Sequence, residues 1–268
     1  MSWRLLDEPA PAPGAWNMAV DEALYEALES GASDRPVLRL YTWSPACLSF
    51  GFHQEFDAVC DADYIASRGF SAVRRPTGGK AVLHDAELTY SVVALHAAPF
   101  GGGLLETYAR IAAALAASLA RLGLPVTVKE RALAIAPGSA APCFLVPSEK
   151  EILVDGRKVV GSAQKRGPRA FLQHGSVPVH LDYEALARAT RNSAADATLY
   201  RRTFSGLGNL RPGLEVEELR RAFRLGFPEV FAGTWEETGL TKAEADAAAR
   251  LHREKYATDR WNRGRMPC

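Results

Sequence analysis

Cysteine is scarce in this 268-residue chain, and the four present (Cys47, Cys60, Cys143, Cys268) form no CxxC pair. That spacing argues against a zinc cluster and against a disulfide framework. It leaves free thiols in a reducing compartment, the cytoplasm, as the expectation. A surplus of charge is missing too. The 32 basic residues nearly balance 31 acidic ones, for a net charge of +1. The basic excess of a nucleic-acid binder is therefore absent. No run of about 18 apolar residues occurs, so no membrane-spanning helix is expected. The opening MSWRLLDEPAPAPG has no long apolar core, so no signal peptide is expected there. No internal repeat organises the chain. What remains is 47% hydrophobic and 24% charged, the composition of a globular protein long enough to bury a sizeable core.

Helix and strand signals alternate along it. Ala19, Ala23, Leu24, Ala27 and Leu28 share one face of a helix predicted over 17–28. Residues 37–43, 48–53 and 70–74 read as strands, and 80–95 as two strands or one bent near Asp85. Tyr108, Ile111, Leu115, Leu119 and Leu122 form the apolar stripe of a helix over 106–122, which Gly123 and Pro125 stop. A strand over 125–130 and a mobile Ala/Pro/Gly/Ser loop over 132–142 follow. Asp155-Gly156, between apolar runs 151–154 and 157–163, predicts a type I′ hairpin, because both central residues need positive φ. A strand follows over 170–181. From Val216 the pattern turns helical, and Thr241 with Glu244 fits a capping box opening a final helix. The expectation is an α+β domain over 1–213 with a small C-terminal helical extension over 214–268.

Three places carry chemistry. Pro76-Thr77-Gly78-Gly79 reads either as a plain hairpin turn or as a turn whose glycines let backbone N–H groups approach a ligand. Arg74 and Arg75 precede it, and His84 follows on a strand. Cys143 stands beside a loop rather than inside an apolar strand, which suits a reactive thiol. Cys47 and Cys60 sit in better-packed surroundings. Lys158 lies two residues past the hairpin turn, next to Val159 and Val160, which cannot both face solvent. A lysine there is either a base or an electrostatic partner. Gly161 and Ser162 leave space beside it, and Gln173-His174-Gly175-Ser176 adds a second histidine and another glycine.

These segments resemble the biotin/lipoate ligase-like superfamily. VRRPTGGKAVLHD is similar to its ligand-binding loop, and DGRKVVGSAQ to the hairpin with its active-site lysine. With WNMAVDEAL, YTWSPACLSFG, PCFLVPSEK, FLQHGS and KYATDRWN, the match runs along almost the whole chain in order. It points within the superfamily to the cysteine-dependent octanoyltransferases of the LipM type. Lys80 departs from the pattern, standing where many of the ligases have a third glycine.

The resemblance implies a central, mostly antiparallel sheet flanked by helices. It implies octanoyl transfer from octanoyl-acyl carrier protein to a lipoyl-domain lysine, with the glycine cleavage H protein as the expected acceptor. Cys143 falls on the nucleophile and Lys158 on the active-site lysine. Arg74, Gly78, Gly79, His84, Gly161, Ser162, His174 and Gly175 fall on the substrate pocket. No cofactor and no metal are implied, since a thioester donor arrives activated. Lys165, Arg166 and Arg169 are the expected docking cations for acidic partners. Three other readings stay open from the residues: an ATP-dependent lipoate ligase with no need of Cys143, an amidotransferase acting between lipoyl domains, and a non-catalytic binder.

Overall fold

The computed structural model describes residues 1–129 and 150–264. The loop expected over 132–142, Cys143 and Cys268 lie outside the described residues.

Strand β1 (Ser2–Asp7) leads into helix α1 (Gly14–Glu29), which opens after Pro13, where a missing N–H is harmless. Next come β2 (Val37–Tyr41), β3 (Cys47–Phe50), the short helices α2 (Phe56–Val59) and α3 (Ala62–Ser67), then β4 (Ser71–Arg74). The run expected to bend near Asp85 is two strands, β5 (Val82–His84) and β6 (Glu87–Leu95). Helix α4 (Leu104–Ala120) precedes β7 (Val126–Lys129). The hairpin region gives β8 (Glu151–Val154), β9 (Arg157–Lys158) and β10 (Gly161–Arg166), followed by β11 (Ala170–Pro178). Helices α5 (Tyr183–Ala189), α6 (Ala194–Thr203) and α7 (Val216–Val230) come next. Strand β12 (Thr234–Glu237), helix α8 (Lys242–Leu251) with a π-helical turn to Tyr256, and α9 (Asp259–Asn262) complete the order.

The central sheet runs β10-β11-β6-β2-β1-β12. It is antiparallel from β10 to β2 and parallel where β1 sits between β2 and β12. Alternate residues of β6 serve opposite layers. Leu88, Tyr90, Val92 and Ala94 join the core that includes Ile111 and Leu115 of α4 and Phe223 and Phe227 of α7. Val93 packs with Ala19, Ala23 and Leu24 of α1, and Ser91 bonds to Asp21 of that helix. Each fully buried Leu or Val here contributes about 1.5–3 kcal/mol. Helix α8 opens on the predicted capping box between Thr241 and Glu244, and its Ala248 and Leu251 join the α1 core.

A second sheet, β4-β3-β5, lies under α5 and α6. A third, β7-β8-β9, turns at Asp155 (φ 50°) and Gly156 (φ 72°), both positive as the type I′ turn needs. The return strand does not run on to residue 163. It leaves the small sheet after Lys158, and buried Val159 and Val160 carry it to the edge of the central sheet as β10. No described helix is long and apolar enough to cross a membrane.

Candidate active site

Helix α1 is buried around most of its circumference, and two carboxylates are buried with it, Asp21 and Glu22. A buried carboxylate needs partners. Asp21 has four: Arg39 Nη1 at 2.8 Å, Tyr41 OH at 2.8 Å, Ser91 Oγ at 2.9 Å and His174 Nδ1 at 2.9 Å. Burial alone would raise its pKa, but the Arg39 charge and the His174 hydrogen bond outweigh that, and it lies below the ordinary value. His174 is pushed the other way. Burial lowers its pKa, assisted by the charges of Arg75 and His84, against Asp21. The neutral ring therefore donates Nδ1–H to Asp21 and presents Nε2 to Thr77 Oγ1 at 2.7 Å.

A second chain of the same kind faces it. His84 of β5 bonds through Nδ1 to Glu87 Oε1 at 2.8 Å and through Nε2 to Ser49 Oγ of β3 at 2.7 Å. Its ring stacks on Trp43 at 4.0 Å. Arg75 joins the two chains. Its Nε donates to Thr77 Oγ1 and its Nη1 to Ser49 Oγ, both at 3.2 Å, while Nη2 holds the carbonyls of Gly78 and Lys80 at 2.7 Å.

Between these chains lies a small cavity of about 30 Å³, open on one side to solvent. Tyr41, Trp43 and Met18 wall one part, Ser49, Val82 and His84 another, and Gly161, Ser162, His174 and Gly175 the rim of the central sheet. Gly175 has a steric role there. A Cβ on it would lie 2.6 Å from Tyr90 Cε1 and 2.8 Å from Gly161 O. Next to it, Ser162 Oγ and Tyr90 OH are 2.7 Å apart, and Gln173 Nε2 donates to Tyr90 OH at 3.0 Å. Among the described residues no cluster of three or more His, Cys, Asp or Glu could hold a metal ion.

A cavity of this kind, behind a glycine turn and a lysine hairpin, bears on the comparison with known proteins. The profile of the lipoyl protein ligase A/B catalytic domain matches residues 13–227. The chain belongs to that family.

Relatives in the family are full-length matches. Octanoyltransferase LipM of Kyrpidia tusciae is 39% identical over 272 residues, spanning 97% of this chain and 98% of that protein. Octanoyltransferase LipM of Symbiobacterium thermophilum is 37% identical with the same coverage. Among solved structures, lipoate-protein ligase A bound with ATP superposes with a TM-score of 0.81 at 27% identity, covering 99% of this chain and 100% of that one. A structure from the archaeal lipoylation system of Thermoplasma acidophilum, described as a bi-partite lipoate protein ligase and its E2 lipoyl domain, gives 0.81 at 25% identity over 100% of this chain and 97% of that one.

Against the family motifs, His84, Gly161, Ser162, His174 and Gly175 meet at one cavity. Cys143 lies outside the described residues. Lys158 is buried, with Nζ 3.2 Å from Glu151 Oε1, and stands three residues before Gly161 rather than in the cavity wall. Gly78 and Gly79 form the turn held by Arg75, and Gly79 has φ +89°. Arg74 points away. It donates to the carbonyls of Phe52, Trp261 and Gly264 and so pins the α9 segment, whereas Arg75 reaches the cavity. Lys165 bonds to buried Glu22 at 2.9 Å, and Arg166 to Thr107, Gln164 and His96. Neither is a loose surface cation. Asp21, Glu87, Ser49 and Trp43 were not singled out from sequence as site residues, and Arg75 was noted beside the turn while Arg74 alone was assigned to the pocket. For Asp21 a signal existed: an acid between Ala19-Val20 and Ala23-Leu24 on a helix with little polar surface.

Proposed function

We propose that this chain is an octanoyltransferase that moves an octanoyl group from acyl carrier protein to a lysine of a lipoyl domain through a thioester on Cys143. The observation that carries this reading is the match to LipM octanoyltransferases along 97% of the chain. The mostly apolar lining of the cavity supports it, because each methylene of an alkyl tail buried there gains about 0.8 kcal/mol. In the first step the Cys143 thiolate attacks the thioester carbonyl and the carrier thiolate leaves. In the second, the acceptor amine attacks the Cys143 thioester, loses a proton and forms the amide, and the Cys143 thiolate is released. A thioester exchange is nearly even in energy, and amide formation drives the second step. Lys158 supplies positive charge near the thiolate, which needs a cation to persist at neutral pH. Backbone N–H groups hold the oxyanion. A free thiol nucleophile suits the cytoplasm, and the glycine cleavage H protein is the proposed acceptor.

The test is transfer without nucleotide. Octanoyl carrier protein and a lipoyl domain are incubated with the enzyme in chelator, and octanoylated domain is measured. Transfer under these conditions is expected, with free octanoate or lipoate a poor donor even with ATP and magnesium. Efficient ATP-dependent use of free lipoate by Cys143→Ala would establish the ligase reading instead.

A further inference from the structure

The cavity is lined by polar side chains, yet their hydrogens do not face it. Arginine only donates, a hydroxyl has one hydrogen, and a carboxylate only accepts. Arg75 donates to both Thr77 and Ser49, and each hydroxyl is also paired with an imidazole Nε2; with each ring carrying its single hydrogen on Nδ1, the hydroxyl passes its own hydrogen to that Nε2. Each imidazole passes its Nδ1 hydrogen to a carboxylate, His174 to Asp21 and His84 to Glu87. The other lining donors end at the same two acids. Tyr41 OH donates to Asp21. Trp43 Nε1 donates to Thr89 Oγ1 at 2.7 Å, and Thr89 Oγ1 and Ser176 Oγ donate to Glu87. The side-chain surface left for a ligand is ring, methyl and methylene carbon. Ser162 is the exception. Its hydrogen is not fixed by Tyr90, and it stands four residues after Lys158, where a polar group of the substrate can be met.

We propose that the cavity selects an unsubstituted alkyl chain, and that Glu87 and Asp21 are specificity-determining positioning residues which draw the lining hydrogens away from it. The inference rests on the octanoyltransferase reading. Its consequence concerns acyl thioesters of the same length that carry a hydroxyl. Such a group entering the cavity loses water and finds no side-chain donor free to meet it.

Acyl loading of the full-length protein is measured as kcat/KM, by mass of the acyl-enzyme, for octanoyl, 3-hydroxyoctanoyl and 8-hydroxyoctanoyl carrier protein. Octanoyl is expected to be favoured by roughly ten- to hundredfold, the range in which an apolar pocket rejects an added hydroxyl. In Glu87→Gln the side-chain amide meets Ser176 Oγ as a donor, so the Ser176 hydrogen turns into the cavity. The preference should fall to a few-fold. Adding Ser176→Ala should restore most of it, which a general loosening of the fold would not do. Should Glu87→Gln fail to fold by near-UV circular dichroism, Ser49→Ala replaces it. That variant leaves His84 Nε2 as an open acceptor, and the preference should again fall. The inference is overturned if the wild type loads the hydroxylated chains within threefold of octanoyl, if neither variant relaxes the preference, or if the double variant stays relaxed. Absence of any octanoyl loading by the wild type overturns the transferase reading as well.

Discussion

Replacing Asp21 by asparagine removes the charge on which the α1 side of the cavity is assembled. Both members of its pair with Arg39 have fully buried side chains. Breaking one side of a buried pair typically costs about 3–5 kcal/mol, because the remaining charge stays desolvated. Arg39 keeps Glu8, at 2.7 Å and partly exposed, so the lower end applies. The asparagine amide also introduces a donor among four groups that all donate to Asp21. We expect about 3 kcal/mol of lost stability, or a fall in Tm of roughly 6–12 °C for a chain of this size. Thermal and urea unfolding of both proteins measures it. Adding Arg39→Met should recover part of the loss, since it removes the guanidinium left desolvated without Asp21, while Asn17 and Glu8 lose a partner. A fall below 2 °C in the single variant, or a double variant less stable than the single one, would refute the reasoning.

Gly175→Val should damage acyl loading and stability together, because Gly161 O is backbone and cannot yield; overpacking of this kind costs about 1–3 kcal/mol, and unchanged loading would show that β10 moves freely. Lys158→Ala should abolish most transfer, and Lys158→Arg should not restore it, because a planar guanidinium is larger than the buried ammonium that now sits 3.2 Å from Glu151; full transfer by Lys158→Arg would show that a charge placed without the lysine's geometry suffices. Lys165→Glu should destabilise the fold by facing Glu22 with a second carboxylate, so a change confined to carrier KM would contradict the geometry. The pH dependence follows from His174, whose folded pKa lies below 6.5. Between that folded value and 6.5 the unfolded chain binds more protons, so stability falls as pH drops below 6.5. Replacing His174 by glutamine should flatten urea midpoints over that window, and an unchanged slope would exclude His174 as its source.

Local chemistry was legible in the sequence where a residue type answers one requirement. Asp155-Gly156 announces its turn because two positive φ values are needed, and Thr241 with Glu244 announces a helix start. Strand β12 was missed because its pairing with β1 is between residues more than 200 positions apart. The run 157–163 reads as one strand, and only the presence of two sheets divides it at Val159-Val160. Arg74 and Arg75 show the limit at the site. Neighbours on an extended chain face opposite ways, so which one reaches the cavity depends on register, and register is a tertiary property. Asp21 was overlooked because an acid on a helix usually faces water. Lys165 was read as a docking cation because the buried partner on α1 is 143 positions away.

The central claim, a thioester on Cys143, is tested most directly by intact mass and peptide mapping after mixing the protein with octanoyl carrier protein in the absence of nucleotide. One octanoyl adduct mapping to Cys143, labile to hydroxylamine and missing in folded Cys143→Ala, is the predicted result. An adduct that persists in Cys143→Ala, or efficient transfer by that variant, would contradict it.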